Sequence, residues 1–214
     1  KWDGAQWALD TTRADVLAHL EQLGADLVSA GYRYLKLDFT FAPTVQGAWS
    51  DSSQTPAQRV RAGYDAIRRG AGDDTFILGC GAPLGALVGV VDGMRVGPDV
   101  APSWQPDPER VFPGYYEQTP SVENAWRSTD VRSFLHRRLW LNDPDCVMLR
   151  TEETELTEQQ VHDWAIAVGR SGGMVLASDD LALLDADAHR LLDEMIELGR
   201  AADLEAVNGF PPAC

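Results

Sequence analysis

Charged side chains in one short apolar run could perform nucleophilic or acid–base chemistry. Lys36 and Asp38 lie two residues apart in segment 32–39, which reads as a β-strand. Because residues i and i+2 of a strand point to the same side, both side chains are expected on one face. Lys36 is one of two lysines, with Lys1, among the 18 basic residues. The pair fits either a catalytic carboxylate with its cation or a structural ion pair at a strand end.

Two further groups of charged residues follow later apolar runs. Arg95 and Asp99 lie on either side of a Gly-Pro turn, and Asp143 and Asp145 follow Trp140. Both segments are also turn signals, in which Asp side chains accept hydrogen bonds from loop amides. Catalytic and structural roles therefore both stay open for these carboxylates.

Carboxylates on separate strands, with lysine, arginine and tryptophan nearby, suggest glycoside hydrolysis. In that reaction one carboxylate attacks the anomeric carbon and another protonates the leaving oxygen. The sequence has no nucleophile elbow and no glycine-rich nucleotide loop after its first strand. Asp38, Asp143 and Asp180 lack the spacing of a calcium loop, so neither a metal nor a cofactor is expected. Other carboxylate chemistry, including a metal-dependent lyase or hydrolase, stays an alternative.

A repeated pattern of apolar strand, loop and amphipathic helix positions these residues. Such alternation indicates a parallel sheet covered on both faces. An open doubly wound sheet and a (β/α)8 TIM barrel both fit it. The barrel is favoured, because its chemistry collects at the carboxyl ends of the strands, where the carboxylates lie. The predicted strands are 7–10, 32–39, 75–80, 93–97, a strand over 138–142 and 145–149 that Pro144 interrupts, and 173–178.

The predicted fold is an incomplete α/β barrel of the TIM type. A full barrel has eight β/α units, whereas the pattern gives about six, so the first two strands are expected to lie upstream of Lys1. We expect residues 1–200 to form this partial catalytic barrel and residues 201–214 to form an irregular tail.

Local signals mark two helix starts and one long loop. Thr12 with Asp15, and Thr157 with Gln160, have the spacing of capping boxes. Residues 98–120 form a loop rich in Pro, Trp and Tyr, of a length that is usually functional. This loop is interpreted either as a wall beside the leaving group or as a surface that packs on another subunit.

The composition excludes several classes of function. With 33 acidic and 18 basic residues the formal charge is −15, which disfavours binding to nucleic acid or to an anionic membrane. No apolar stretch is long enough to span a membrane. The three cysteines have neither metal-site nor disulfide spacing, and no signal peptide is visible, so a cytoplasmic location is expected.

Four motifs follow one another along the chain: Tyr34-Leu35-Lys36-Leu37-Asp38-Phe39, Leu78-Gly79-Cys80-Gly81, Met94-Arg95-Val96-Gly97-Pro98-Asp99 and Trp140-Leu141-Asn142-Asp143-Pro144-Asp145-Cys146. In this order they resemble the α-galactosidases of glycoside hydrolase family 36. The related family 27 shares the Lys-x-Asp, Arg-x-x-x-Asp and Asn-Asp-Pro-Asp patterns. The strand Trp7-Ala8-Leu9-Asp10 also resembles the one that precedes the nucleophile strand in family 36.

The resemblance implies a retaining hydrolase that removes terminal α-linked galactose from oligosaccharides by double displacement. It makes Asp38 the nucleophile that forms a covalent galactosyl-enzyme and Asp99 the general acid and base. It implies that Arg95 faces the sugar rather than Asp99. The residues that it places at the sugar or around its pocket are Asp10, Lys36, Cys80, Arg95, Trp140, Asp143 and Asp145.

Several alternatives to hydrolysis of galactosides stay open. The chain could be a non-catalytic galactose-binding remnant, an α-N-acetylgalactosaminidase or an α-galactosyl transglycosylase. From the sequence alone, without the resemblance to family 36, Cys80 would be interpreted as a small buried hydrophobic residue. The expected partners are α-galactoside oligosaccharides and, for the full-length enzyme, other copies in a homo-oligomer.

Overall fold

The computed structural model describes residues 7–111 and 114–209. The chain divides into two compact units, Lys1–Met94 and Arg95–Cys214. Strands and helices alternate through both units. The prediction of an α/β fold with parallel strands is confirmed.

The first unit contains a parallel sheet and two long helices. Its strands β1 (Tyr34–Leu37), β2 (Phe76–Gly79) and β3 (Gly93–Arg95) are hydrogen-bonded in that order, and β3 crosses the boundary at Arg95. Tyr34 is in register with Phe76 and Gly79 with Met94. The helices are α1 (Ala14–Ser29) and α2 (Pro56–Ala71), with 3₁₀ turns at Ala42–Thr44 and Leu84–Leu87.

The second unit contains three helices and three short strands. Its hydrophobic core includes Val147, Trp164, Val168 and Met195, each of which is almost fully buried. Strands β5 and β6 pair in parallel. The elements are α3 (Val122–Arg132), β4 (Leu141–Asp143), β5 (Cys146–Val147), α4 (Glu158–Arg170), β6 (Leu176–Ala177) and α5 (Ala186–Gly209), with 3₁₀ turns at Tyr116–Gln118, Ser133–Leu135 and Leu181–Leu183.

Side-chain caps mark the starts of α2 and α4. The predicted box of Thr157 with Gln160 is confirmed at α4. Helix α2 has an equivalent box formed by Thr55 and Gln58. The predicted box at Thr12 is wrong, because α1 starts after Arg13 and has no side-chain cap.

The strand prediction fails at the first predicted strand. Residues 7–10 form no strand, and Trp7 is 91% exposed, because these residues have no neighbouring strand to pair with in the described chain. The predicted interruption at Pro144 is confirmed, because β4 and β5 lie on either side of this proline, which cannot donate a ladder bond.

The predicted irregular tail is wrong for residues 201–209. Helix α5 continues to Gly209, and its buried residues include Met195 and Gly199. Apolar residues continue past 200 at helical spacing, so the helix does too. Residues 210–214 lie outside the described residues.

The long loop before α3 is confirmed, but its aromatic residues differ in burial, since one packs inward and two are exposed. Trp104 packs inward, edge-on against Trp126, with ring centroids 5.7 Å apart. Tyr115 and Tyr116 are 57% and 42% exposed. Of the three, Trp104 contributes to packing within the second unit.

Close contact between α1 and α2 depends on two glycines. A Cβ at Gly24 would lie 2.6 Å from the carbonyl oxygen of Ile67, and one at Gly70 would overlap the carbonyl of Glu21. Larger residues at either position would therefore force the helices apart.

No helix within residues 7–111 and 114–209 combines the length and apolarity needed to cross a membrane.

Candidate active site

In the first unit, Lys36 and Asp38 meet at the carboxyl end of β1. Lys36 Nζ lies 3.9 Å from Asp38 Oδ2, and the two side chains are 41% and 42% exposed. The prediction that they share a face is confirmed. Partial exposure at the carboxyl end of a parallel strand makes the carboxylate accessible to a ligand.

The turn after β1 orients the Asp38 carboxylate. Asp38 Oδ1 accepts a hydrogen bond of 2.7 Å from the amide of Phe39. Phe39 has a φ of +54°, in the left-handed region. Gly81 approaches from the loop after β2, where a Cβ would lie 3.2 Å from Asp38 Oδ1. Glycine at position 81 thus leaves room for the carboxylate.

A buried tyrosine supports this turn from α2. The Tyr64 hydroxyl lies 2.7 Å from Thr40 Oγ1 and donates at 3.4 Å to the carbonyl of Leu37. Burial raises the pKa of Tyr64 to about 12. The sequence analysis missed Tyr64, because the only signal is its place on the buried face of an amphipathic helix.

Cys80 lies next to the same turn at the end of β2. Its amide donates a 2.9 Å bond to the carbonyl of Leu37, and the residue is 5% exposed. Such burial fits the alternative of a small buried side chain. A contact between Cys80 and a sugar stays a prediction.

Asp10 holds two loops of the first unit together. Its Oδ1 accepts bonds from the amide and hydroxyl of Thr12, and its Oδ2 accepts bonds from the amide and hydroxyl of Ser50. These bonds, led by the Thr12 hydroxyl, hold the pKa of Asp10 well below its usual range. The carboxylate thus has a structural role, and its predicted contact with substrate stays a prediction.

In the second unit, Arg95 lies among three carboxylates. Its Nε donates to Asp143 at 3.2 Å, its Nη1 to Asp99 at 3.0 Å and its Nη2 to Asp145 at 2.8 Å. The side chain of Arg95 is 6% exposed, whereas that of Asp99 is 71% exposed. One cation and three carboxylates give this group a formal charge of 1 − 3 = −2.

The expectation that Arg95 turns away from Asp99 is wrong, whereas its predicted contact with the sugar stays a prediction. Arg95 and Asp99 are four residues apart across a turn that returns the carboxylate to the guanidinium. Asp143 and Asp145 then engage the remaining edges of the guanidinium. A planar group with several donors suits such multiple carboxylate contacts.

Asp145 restrains Asp99 in two ways, through Arg95 and through the backbone at Val100. One oxygen of Asp145 binds Arg95, and the other accepts a 2.8 Å bond from the amide of Val100. Asp145 has a φ of +78°, and its amide donates to Asp143 Oδ1 at 2.8 Å. Asp143 and Asp145 therefore act on Asp99 through Arg95 and the backbone.

Trp140 is not placed with the carboxylates. It precedes β4 and is 5% exposed. Strand alternation puts Asp143 on the face of Leu141 and places Trp140 with Asn142 on the other. The Asn142 amide donates to His136 Nδ1 at 3.2 Å. A role for Trp140 at the sugar stays a prediction.

The acidic pair after β6 has structural partners. Asp179 accepts a 2.6 Å bond from the amide of Leu149 and pairs with Arg150. Asp180 caps the following 3₁₀ turn through the amide of Ala182. In the described part of the chain, no three His, Cys, Asp or Glu side chains are arranged to hold a metal ion.

Comparison with known proteins gives these two groups of residues a context. No protein-family model matches the chain. The chain is similar to the solved α-galactosidase of Thermus thermophilus in complex with stachyose, with 32% identity over 89% of this chain and a TM-score of 0.76. The chain thus resembles part of the α-galactosidases of glycoside hydrolase family 36. The resemblance to glycoside hydrolase family 36 is thereby confirmed.

Two fungal structures share the fold of this chain. α-Galactosidase I of Mortierella vinacea matches 84% of this chain and 47% of its own, with 16% identity and a TM-score of 0.62. The α-galactosidase of Saccharomyces cerevisiae matches 83% and 40%, with 15% identity and a TM-score of 0.60. The present chain spans 40% of the length of the Thermus enzyme. It corresponds to part of an α-galactosidase TIM-barrel catalytic domain.

Proposed function

We propose that this chain carries the catalytic carboxylates of a retaining α-galactosidase that removes terminal α-linked galactose from oligosaccharides. The observation that carries the proposal is the 32% identity with an α-galactosidase over 89% of this chain. Stachyose, present in that enzyme's structure, represents the proposed class of substrate. A cytoplasmic location and assembly into a homo-oligomer belong to the same proposal.

Asp38 acts as the nucleophile. Its half-exposed carboxylate attacks the anomeric carbon, so that a bond from Oδ to carbon forms as the glycosidic bond breaks. Its ion pair with Lys36 and its bond from Phe39 support this role, because both orient the carboxylate at the strand end. Lys36 also binds hydroxyls of the galactose.

Asp99 acts as general acid and then as general base. It first gives its proton to the leaving oxygen, and later takes one from the water that attacks the galactosyl-enzyme. Galactose is released with its original anomeric configuration, and both carboxyl groups return to their starting states. The high exposure of Asp99 supports this role, since the carboxyl group is accessible to a substrate.

Hydrolysis of p-nitrophenyl α-D-galactopyranoside by the full chain tests the proposal. We expect turnover by the wild type, with α-galactose as the first product in a proton NMR time course. Asp38→Asn should lower kcat for this substrate by at least about a hundredfold, and Asp99→Asn should lower kcat for stachyose, whose leaving oxygen needs a proton, by a similar factor. Asp65→Asn, at an exposed ion pair on α2, is the matched control and should leave kcat unchanged.

Three outcomes would overturn parts of this proposal. Absence of turnover by the wild type, with galactose still bound, would replace hydrolysis with simple binding. Full activity of Asp38→Asn would remove Asp38 as nucleophile. First release of β-galactose would contradict the double displacement.

A further inference from the structure

The turn after β1, which carries Asp38, makes side-chain contacts with two other elements of the first unit. Thr40 follows Asp38 by two residues, and its side chain is half-buried. Thr40 Oγ1 lies 2.7 Å from the hydroxyl of Tyr64 on α2 and 3.4 Å from the carbonyl oxygen of Cys80, which follows β2. The side chain of Thr40 therefore links the turn both to a helix and to the end of the neighbouring strand.

The hydroxyls of Thr40 and Tyr64 can bond to each other in either of two arrangements. A hydroxyl group has one proton to donate and two lone pairs that accept. When Thr40 donates to Tyr64, the Tyr64 proton goes to the carbonyl of Leu37 at 3.4 Å. When Tyr64 donates to Thr40, the Thr40 proton goes to the carbonyl of Cys80. Both arrangements end on a backbone carbonyl at, or next to, the end of a strand.

Tyr64 is a rigid partner for this turn. The residue is 3% exposed and lies on the buried face of α2. Side chains in a close-packed interior cannot move far without displacing their neighbours. Burial raises the pKa of Tyr64 to about 12, so the hydroxyl keeps its proton at neutral pH and remains a donor. The packing of α2 therefore restrains the position of Thr40.

The backbone between Asp38 and Thr40 depends on such restraint. Phe39 has a φ of +54°, a conformation that costs a residue with a side chain free energy and persists only where the surroundings impose it. Its amide donates the 2.7 Å bond to Asp38 Oδ1. Rotation of this peptide group would turn the amide away from the carboxylate. The bonds of Thr40 oppose that rotation, because Thr40 is the next residue in the chain.

We propose that Thr40 and Tyr64 are positioning residues for the nucleophile, since their paired hydroxyls hold the Phe39 peptide group in the orientation that directs the Asp38 carboxylate at the anomeric carbon. This inference rests on the proposed function, in which Asp38 is the nucleophile. Both hydroxyls act through the backbone rather than on the substrate. Misplacement of a reacting group by about 1 Å can lower a rate about a hundredfold. Loss of either hydroxyl should therefore lower kcat much more than it raises KM.

Hydrolysis of p-nitrophenyl α-D-galactopyranoside by the full chain tests the proposal. Thr40→Val keeps the shape of the side chain and removes its hydroxyl, and Tyr64→Phe removes the other hydroxyl. Each should lower kcat about tenfold while KM changes by less than about twofold. Thr40→Ser retains the hydroxyl and should keep a kcat close to that of the wild type. This substrate depends little on acid catalysis, so the loss reports on Asp38 rather than on Asp99.

Two matched variants control for the loss of a hydroxyl elsewhere in the first unit. Thr44→Val removes a hydroxyl that bonds the carbonyl of Phe41 within the same loop. Tyr32→Phe removes the hydroxyl of an exposed tyrosine. Both should retain the wild-type kcat and KM. Urea denaturation checks that every variant is folded under the conditions of the assay.

The amide proton of Phe39 tests the contact without any catalysis. A short bond to a carboxylate is a strong one and moves the NMR signal of the donated proton downfield. In the ¹⁵N-labelled chain, Tyr64→Phe should move the Phe39 amide proton upfield, because the peptide group is less well held. Tyr32→Phe should leave the signal in place. Phenylalanine keeps the aromatic ring at position 64, so the change reports the lost hydroxyl.

Three results would overturn the proposal. They are a wild-type kcat in Thr40→Val and Tyr64→Phe, an equal loss of kcat in Thr40→Ser and Thr40→Val, and an unmoved Phe39 signal in Tyr64→Phe. Failure of the proposed function gives a different result. The wild type would then hydrolyse no galactoside, while the Phe39 signal would still move in Tyr64→Phe and support the restraint of the turn.

Discussion

The carboxylate of Asp145 accepts a 2.8 Å hydrogen bond from the amide of Val100, the residue that follows Asp99. The other oxygen of Asp145 binds Arg95, which in turn binds Asp99. Asp145 therefore restrains both the backbone and the side chain of the proposed acid. This arrangement makes Asp145 a positioning residue, since it acts through its neighbours.

Asp145→Asn should impair proton donation to the leaving group. Asparagine tolerates the left-handed backbone at this position, so the variant should fold while its charged bond to Arg95 is lost. We expect kcat for stachyose to fall about tenfold or more, and kcat for p-nitrophenyl α-D-galactopyranoside to fall much less. Nitrophenolate leaves readily and depends little on acid catalysis.

The comparison of the two substrates separates positioning from general damage. The control is Asp107→Ala, in an exposed ion pair of the loop that contains Asp99. This variant should change kcat for neither stachyose nor p-nitrophenyl α-D-galactopyranoside. Equal losses of kcat for both substrates in Asp145→Asn would contradict the assigned role.

Gly70→Ala should destabilise the first unit. The added methyl group would meet the carbonyl of Glu21 on α1, and overpacking of this kind typically costs about 1–3 kcal/mol. Urea denaturation should show a lower midpoint. Gly85→Ala is the matched control, because a Cβ there meets nothing within 4 Å. A Gly70→Ala midpoint equal to that of Gly85→Ala would disprove the close helix contact.

Tyr64→Phe should remove one source of alkaline instability. Tyr64 has a pKa raised from 10.0 to about 12 by burial, so above pH 10 the folded protein retains a proton that the unfolded chain loses. The stabilisation is complete below pH 10 and is lost as the pH rises through 12.

The free energy of unfolding, measured from pH 8 to 12, checks this expectation. It should fall less steeply with pH in Tyr64→Phe than in the wild type. Tyr32→Phe, at an exposed tyrosine, should retain the wild-type slope. Parallel curves for Tyr64→Phe and wild type would contradict the role of Tyr64.

Local patterns predicted the parts of the fold that local forces determine. Strand alternation placed Lys36 and Asp38 on one face, and the capping box at Thr157 gave the start of α4. The strand predicted for segment 7–10 was wrong, because a strand needs a neighbouring strand to pair with, which the local sequence pattern does not reveal.

The contacts of Arg95 could not be predicted from the sequence. Its bonds to Asp143 and Asp145 join residues 48 and 50 positions apart. Turn signals at both segments allowed many side-chain directions, and the positive φ of Asp145 is unusual for a residue other than glycine. Tyr64 was missed for a similar reason, since its hydroxyl meets Thr40 only after α2 packs on the sheet.

The guanidinium of Arg95 is flat, and each of its three nitrogens binds a different carboxylate. The loop after β3 and the turn after β4 are consequently both hydrogen-bonded to one planar guanidinium group. Neither can tilt alone without breaking a charged bond, so the two segments should move as a single body. A lysine at position 95 could not couple them, because its ammonium group is one point at the end of a flexible stem.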